Sequence, residues 1–297
     1  MTDIKPHHLL AALCIILIWG FNFVVIKLGL QELPPIFLCF LRFTLAALPA
    51  IFFLKRPDLP WCSILLYGLI IFALQFAFLF SGMHFGISAG LASVVLQAHV
   101  FVTIGLATAF LGERPSSFQL TGAIVAFLGI VTIALNLGGD VTLAGLLFVL
   151  LAALSWGIGN IITKGFKKVN ALALVVWGSL VAAPPLLLLS LMLEGPSHIA
   201  ASLQHVSWLS VVALAYIVYP TTLLSFAVWS WLMSRYSAAS VAPLTLLVPV
   251  VGMTSSALVM GEQLQSWKLL SALLVISGLC LNVFGTRIGD HFRKKET

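Results

Sequence analysis

A guanidinium, an ammonium, an imidazole and four side-chain amides stand within otherwise apolar stretches: Arg42, Lys27, His99, Asn22, Gln75, Gln97 and Asn160. An ionisable group at a bilayer centre costs about 2.5–3.5 kcal/mol on insertion scales, so each one needs a reason. All nine acidic residues fall in tails, loops or the ends of apolar runs, which leaves Arg42 without an internal carboxylate. A permanent cation without an internal anion suits a carboxylate delivered by cargo. It equally suits a structural role, bound to helix carbonyls, Gln75 or Gln97. His99, two residues after Gln97, can titrate near physiological pH and is the candidate proton carrier. The alternative is a neutral imidazole hydrogen-bonded between helices.

Lys27 sits one turn from a span end and can either bind cargo or snorkel to headgroups. Gln75 and Gln97, near midplane, can donate and accept toward cargo, as can Asn22. Asn160, nearer a span end, is a gate candidate together with Trp156. Tyr216, Tyr219 and Trp229 could face an ammonium group through cation–π contact, although interfacial anchoring is the ordinary role of Tyr and Trp. This inventory describes recognition rather than bond-making. No Walker loop, CxxC pair or metal-ligand spacing occurs, and no cofactor is expected.

The elements that carry these groups follow from composition. Apolar residues make up 61% of the chain and charged residues 8%, against roughly a quarter in soluble domains. Mean hydropathy is +1.14. Such a chain has no polar coat to place around a core, so its solvent is lipid. Its length allows about ten helices at about 20 residues each. Apolar runs too long and unbroken for barrel strands exclude a β-barrel. Spans are predicted at 9–30, 35–53, 63–84, 89–111, 118–137, 143–165, 170–193, 206–233, 238–260 and 267–286. Within 206–233, Pro220 could kink one helix or separate two pieces. The run from Leu9 reads as a first span rather than a cleaved signal peptide.

The net charge of +6 forms no nucleic-acid patch, because the basic residues are scattered singly. With the N-terminus cytoplasmic, 12 of the 15 basic residues fall on the cytoplasmic side: Lys5, Lys55, Arg56, Arg114, Lys164, Lys167, Lys168, Arg235, Arg287, Arg293, Lys294 and Lys295. Lys268 is left in an outer loop. Both termini are therefore expected in the cytoplasm, with 287–297 a basic tail. Cys14, Cys39, Cys62 and Cys280 read as packing residues.

The chain also repeats itself. Trp19-Gly20 with Lys27 recurs as Trp156-Gly157 with Lys164, and Asn22 as Asn160. Ser88-Ala89-Gly90-Leu91-Ala92 aligns with Ser237-Ala238-Ala239-Ser240-Val241, Leu111-Gly112-Glu113 with Met260-Gly261-Glu262, and Gly129 with Gly278. Two related halves, 1–137 and 138–286, with five spans each must enter the membrane in opposite orientations. That arrangement favours a cargo site at midplane between them and alternating access.

Trp19-Gly20-Phe21-Asn22-Phe23, Leu41-Arg42-Phe43, Leu111-Gly112-Glu113-Arg114 and Ala242-Pro243-Leu244-Thr245-Leu246-Leu247-Val248-Pro249 together resemble the EamA family of the drug/metabolite transporter superfamily. The resemblance spans essentially the whole chain. It implies an all-α integral membrane protein of ten helices in two inverted five-helix repeats. It also implies a non-enzymatic exporter of amino-acid-like metabolites, cysteine or O-acetylserine among them, with the bilayer and a small molecule as partners and protons as a candidate coupling ion. His99 stands where those exporters would carry Gln. Three alternatives stay open: export of organic anions or drugs, an intramembrane enzyme on lipid-linked substrates, and a non-transporting scaffold or receptor. The oligomeric state is open too.

Overall fold

The computed structural model describes residues 5–166, 169–236 and 241–285. Lys167, Lys168, the 237–240 stretch and the basic tail 287–297, used above for orientation or for the repeat, lie outside the described residues. Regular structure among the described residues is helical, with isolated bridges at Ile87–Val141 and Gly138–Val141. Among the described residues, nine helices are long and apolar enough to cross a membrane, and the shorter apolar helix Leu244–Met260 adds to them.

We label the helices α1 (Pro6–Gly29), α2 (Pro35–Ala47), α3 (Trp61–His84), α4 (Ala89–Leu111), α5 (Ser117–Ala134), α6 (Leu143–Lys164) and α7 (Ala171–Leu193). The chain continues through a short helix, Pro196–Gln204, in a stretch expected to be loop. Helix α8 starts as Trp208–Tyr216 and ends as Ser225–Arg235. Helix α9 is Val248–Met260 and α10 is Ser266–Cys280. Helix starts follow local chemistry. Pro opens α1 and α2, where a missing N–H costs nothing. The side chains of Ser88, Ser116, Thr142, Asn170 and Ser207 cap α4 to α8.

Besides a 3-10 stretch at Ala50–Phe52 after α2 and a π turn at Leu281–Gly285 after α10, departures from α geometry occur in corresponding places. Helix α3 passes through a π segment at Gly68–Leu74, and α8 through one at Ile217–Leu224. Helix α4 tightens to 3-10 geometry at Leu96–Ala98, and α9 is preceded by a 3-10 stretch at Ala242–Leu247. Pro220 therefore sits in a widened turn of one continuous helix, which spares its missing N–H a break in the chain. Gly112 and Gly261 end α4 and α9 in the left-handed conformation, with φ of +66° and +68°.

Packing depends on close backbone approach at small residues. A Cβ on Gly20 would lie 2.4 Å from Val251, and one on Gly157 would lie 2.5 Å from Val102. Helix α1 thus seats on α9 as α6 seats on the second part of α4. Helices α5 and α10 approach closest: a Cβ on Gly122 would meet the Gly278 carbonyl at 2.5 Å, and one on Gly278 would meet the Gly122 carbonyl at 2.4 Å. The first part of α4 is buried throughout and presses Ser93 against Gly252 of α9. From His99 onward α4 is more open, with Ala107 alone buried. Large apolar side chains such as Phe127, Met192 and Leu258 cover the outside, as a lipid-facing surface requires.

Candidate functional site

Arg42 is 2% exposed and enters the interior from the middle of α2. Its guanidinium carbon lies 4.1 Å from the Phe76 ring centroid and 5.3 Å from that of Phe43. Aromatic faces of this kind offset part of the cost of the buried charge. Its Nε donates to Thr222 Oγ1 at 3.1 Å, and Nη1 has no partner. The expected partners, Gln75 and Gln97, are not the ones used. The acceptor comes from the distant α8, where Thr222 lies in the π segment. Thr222 in turn donates to the Ile217 carbonyl at 2.8 Å. Gln75 begins the α-helical stretch after the π segment of α3. It is 3% exposed with Oε1 unpartnered.

A second cluster forms between α4 and α6. The His99 ring stacks on Trp156 at 3.9 Å and 14°, and its Nδ1 is buried without a partner. Thr103 Oγ1 donates to the His99 carbonyl at 2.7 Å and accepts from Asn160 Nδ2 at 3.0 Å. The structure thus gathers the candidate proton carrier and both gate candidates into one place, a link that sequence spacing did not reveal. Gln97 lies buried in the 3-10 turn just before His99.

Lys27, Tyr216 and Trp229 make contacts between helices, whereas Asn22 and Tyr219 are placed differently. Lys27 does not extend to the surface: its Nζ donates to the Met83 carbonyl at 2.5 Å, tying α1 to α3. Asn22 is buried with Oδ1 unpartnered. The Tyr216 hydroxyl donates to the Ile18 carbonyl at 3.0 Å, and its ring meets Phe21 edge-on. Trp229 packs on Trp19 at 5.3 Å, and Trp19 Nε1 donates to the Thr221 carbonyl. Tyr219 is 50% exposed on the outside of α8, so the three aromatics do not share one wall. Residues three apart share a face of a regular α-helix, but the π segment begins at Ile217, between Tyr216 and Tyr219, and the two side chains are placed apart.

Thr222, Phe76 and Thr103 were missed. Two of them had a weak signal: Thr221-Thr222 interrupts an apolar run after Pro220, and Phe76 follows Gln75. Among the described residues no three His, Cys, Asp or Glu side chains converge as a metal site. A cavity of about 650 Å³ opens elsewhere, lined by Lys55, Arg56, Asp58 and Asn170 among others. It contains none of the residues singled out above.

Lys268, expected in an outer loop, is instead 2% exposed. It pairs with Asp140 and donates to the Gln263 carbonyl at 2.9 Å. The first turn of α10 buries its stem, which a hydropathy reading of isolated charges does not anticipate.

Comparison with known proteins places this architecture. The model of the EamA-like transporter family matches residues 8–135 and again 143–284. A protein of Salmonella typhimurium described as a probable amino-acid metabolite efflux pump is 44% identical, covering 93% of this chain and 95% of its own. Its counterpart of the same description in Escherichia coli is 42% identical, covering 93% and 94%. An uncharacterized transporter of Bacillus subtilis is 28% identical over 93% of this chain and 96% of its own. A solved crystal structure superposes with a TM-score of 0.66 at 18% identity, over 96% of this chain and 99% of the other, which speaks to fold alone. A multi-pass helical chain matched by one family model on both sides of its midpoint belongs to the EamA-like transporter family.

Proposed function

We propose that this protein is a secondary transporter of the bacterial inner membrane that exports small amino-acid-like metabolites. Arg42 is the anchor for the cargo carboxylate. The observation that carries this reading is a fully buried guanidinium with Nη1 unpartnered and no acidic side chain bonded to it among the described residues. Desolvating such a cation is costly, and a carboxylate arriving with cargo would offset much of that cost. The description of the two enteric relatives as amino-acid metabolite efflux pumps supports the same cargo class.

In this reading the repeats 1–137 and 138–286 move against each other to alternate access, with both termini cytoplasmic. Asn22, Gln75 and Gln97 supply polar contacts to cargo. Asn160 and Trp156 gate the path beside His99, which takes up the coupling proton. The phenylalanines around Arg42 favour a second reading, an organic anion of greater apolar area.

Purified protein in liposomes, loaded with labelled cysteine, O-acetylserine or threonine, tests both readings. Efflux by wild type that is lost in a correctly inserted Arg42→Gln supports the carboxylate anchor. A pH-gradient dependence that disappears in His99→Gln supports the proton role. Wild-type vesicles that retain all three amino acids but release an organic anion sink the first reading in favour of the second.

A further inference from the structure

A guanidinium presents two edges to a carboxylate, the side edge Nε/Nη2 and the end edge Nη1/Nη2. In this protein the side edge is taken, because Nε donates to Thr222 Oγ1 at 3.1 Å. The direction of that bond is fixed. A threonine hydroxyl has a single proton, and Thr222 directs it to the Ile217 carbonyl at 2.8 Å, so only its lone pairs face Arg42. The Ile217 carbonyl belongs to the π segment of α8, and Thr222 is completely buried there. Phe76 covers the guanidinium at 4.1 Å and adds a planar constraint. The unpartnered Nη1 lies on the end edge.

We propose that Thr222 is a positioning residue that holds Arg42 so that cargo carboxylate is received on the Nη1/Nη2 end edge. This rests on the reading of Arg42 as the carboxylate anchor. It assigns to the π segment of α8 a share in a site whose charge is supplied by α2. A hydroxyl at this position selects the edge without adding charge that would compete with the cargo.

The test uses full-length wild type, Thr222→Val, Thr222→Ser and Arg42→Gln in liposomes, with initial rates of cysteine efflux read over a range of internal concentrations. Valine keeps the shape and removes the acceptor. We expect Thr222→Val to raise KM about tenfold, the weight of one charge-assisted bond, with maximal rate within about twofold. Thr222→Ser, which retains the hydroxyl, should stay within about threefold of the wild-type KM. Thr222→Ala provides the same readout if the valine variant does not purify as a monodisperse protein. A wild-type KM in Thr222→Val, where Arg42→Gln abolishes efflux, overturns the positioning role and leaves the anchor standing. Wild-type efflux in Arg42→Gln overturns the anchor and this inference with it.

Discussion

The two ends of the helix bundle are held together in different ways. At the end that carries the loops around residues 32, 87, 140, 200 and 263, carboxylates from one part of the chain bind main-chain N–H groups at helix starts in another. Glu194, at the end of α7, accepts from Ile36 and Phe37 at 2.7 and 2.9 Å, and also from Ser190. Glu32 accepts from Ser207, the cap of α8, at 2.7 Å, and Glu262 accepts from Ala89 of α4 at 3.0 Å. Lys268 pairs with Asp140 beside them. At the opposite end, Lys164 pairs with Glu113, but those side chains are 49% and 51% exposed. Among the described residues, other contacts there include Arg56 over the Trp61 ring at 4.7 Å, Arg235 over the Trp231 ring at 4.6 Å, His8 Nδ1 with the Tyr236 hydroxyl at 2.6 Å, and Trp177 Nε1 donating to the Leu54 carbonyl at 3.2 Å.

The first end places anions where helix dipoles and unmatched N–H groups need them, so parting it strands donors. At the second end, water can take over the exposed Lys164–Glu113 pair at little cost. The same contrast is written along α4, buried throughout its first part and open beyond His99.

The sharpest way to break the contrast is Glu194→Ala, which removes the acceptor of two helix-start donors and of Ser190. A loss of about 2–3 kcal/mol is expected, seen as a fall of several degrees in melting temperature in detergent. An unchanged melting temperature would mean that the caps do not hold this end. Lys268→Met should cost less, about 1–2 kcal/mol, because Asp140 is part-exposed and can turn to water. In a cysteine-free background, a cysteine at Lys164 should react with maleimide in detergent, where both ends are reachable, about tenfold faster than one at Lys268, since exposure governs access. Equal rates would erase the difference between the ends.

Glu113→Gln should shift stability by less than about 0.5 kcal/mol, as an exposed pair predicts. The smallest effect concerns pH. The Ser207 N–H, with the hydroxyls of Ser210 and Ser207, holds the Glu32 carboxyl below the usual carboxylate range. A depressed value means that its contribution is complete above the ordinary carboxylate pKa and fades as pH falls through the depressed one. Melting curves of wild type and Glu32→Gln should therefore converge in acid and differ by a constant amount from pH 6 to 8, which is a few units above the reference pKa of about 4.3. A gap that widens in acid contradicts this.

Much of the fold was legible in the sequence, because a helix long enough to cross lipid announces itself by hydropathy. The Gly112-Glu113 and Gly261-Glu262 pairs likewise marked two helix ends that share the same left-handed turn. The π and 3-10 stretches were not legible, since a change in turn width leaves composition untouched. Their consequences for the site were hidden with them: Thr222 meets Arg42 from within the π segment of α8, and the two residues are far apart in the chain. Lys268 was misjudged because one-dimensional reading treats a charge near a loop as exposed, whereas its partner, Asp140, comes from the middle of the chain. The stacking of His99 on Trp156 was similarly beyond reach, although both residues had been singled out separately.

The glycine contact between α5 and α10 bears on biogenesis. Gly122 emerges from the ribosome about 150 residues before Gly278, a delay on the order of ten to thirty seconds at ordinary synthesis rates. Through that interval α5 sits in the bilayer with its narrow groove filled by acyl chains or by whatever helix comes near. Helix α10, synthesised after α5, is the one that displaces them. A nascent chain truncated before α10 would thus carry an open glycine seam, a mark by which membrane quality control could tell an unfinished copy from a finished one.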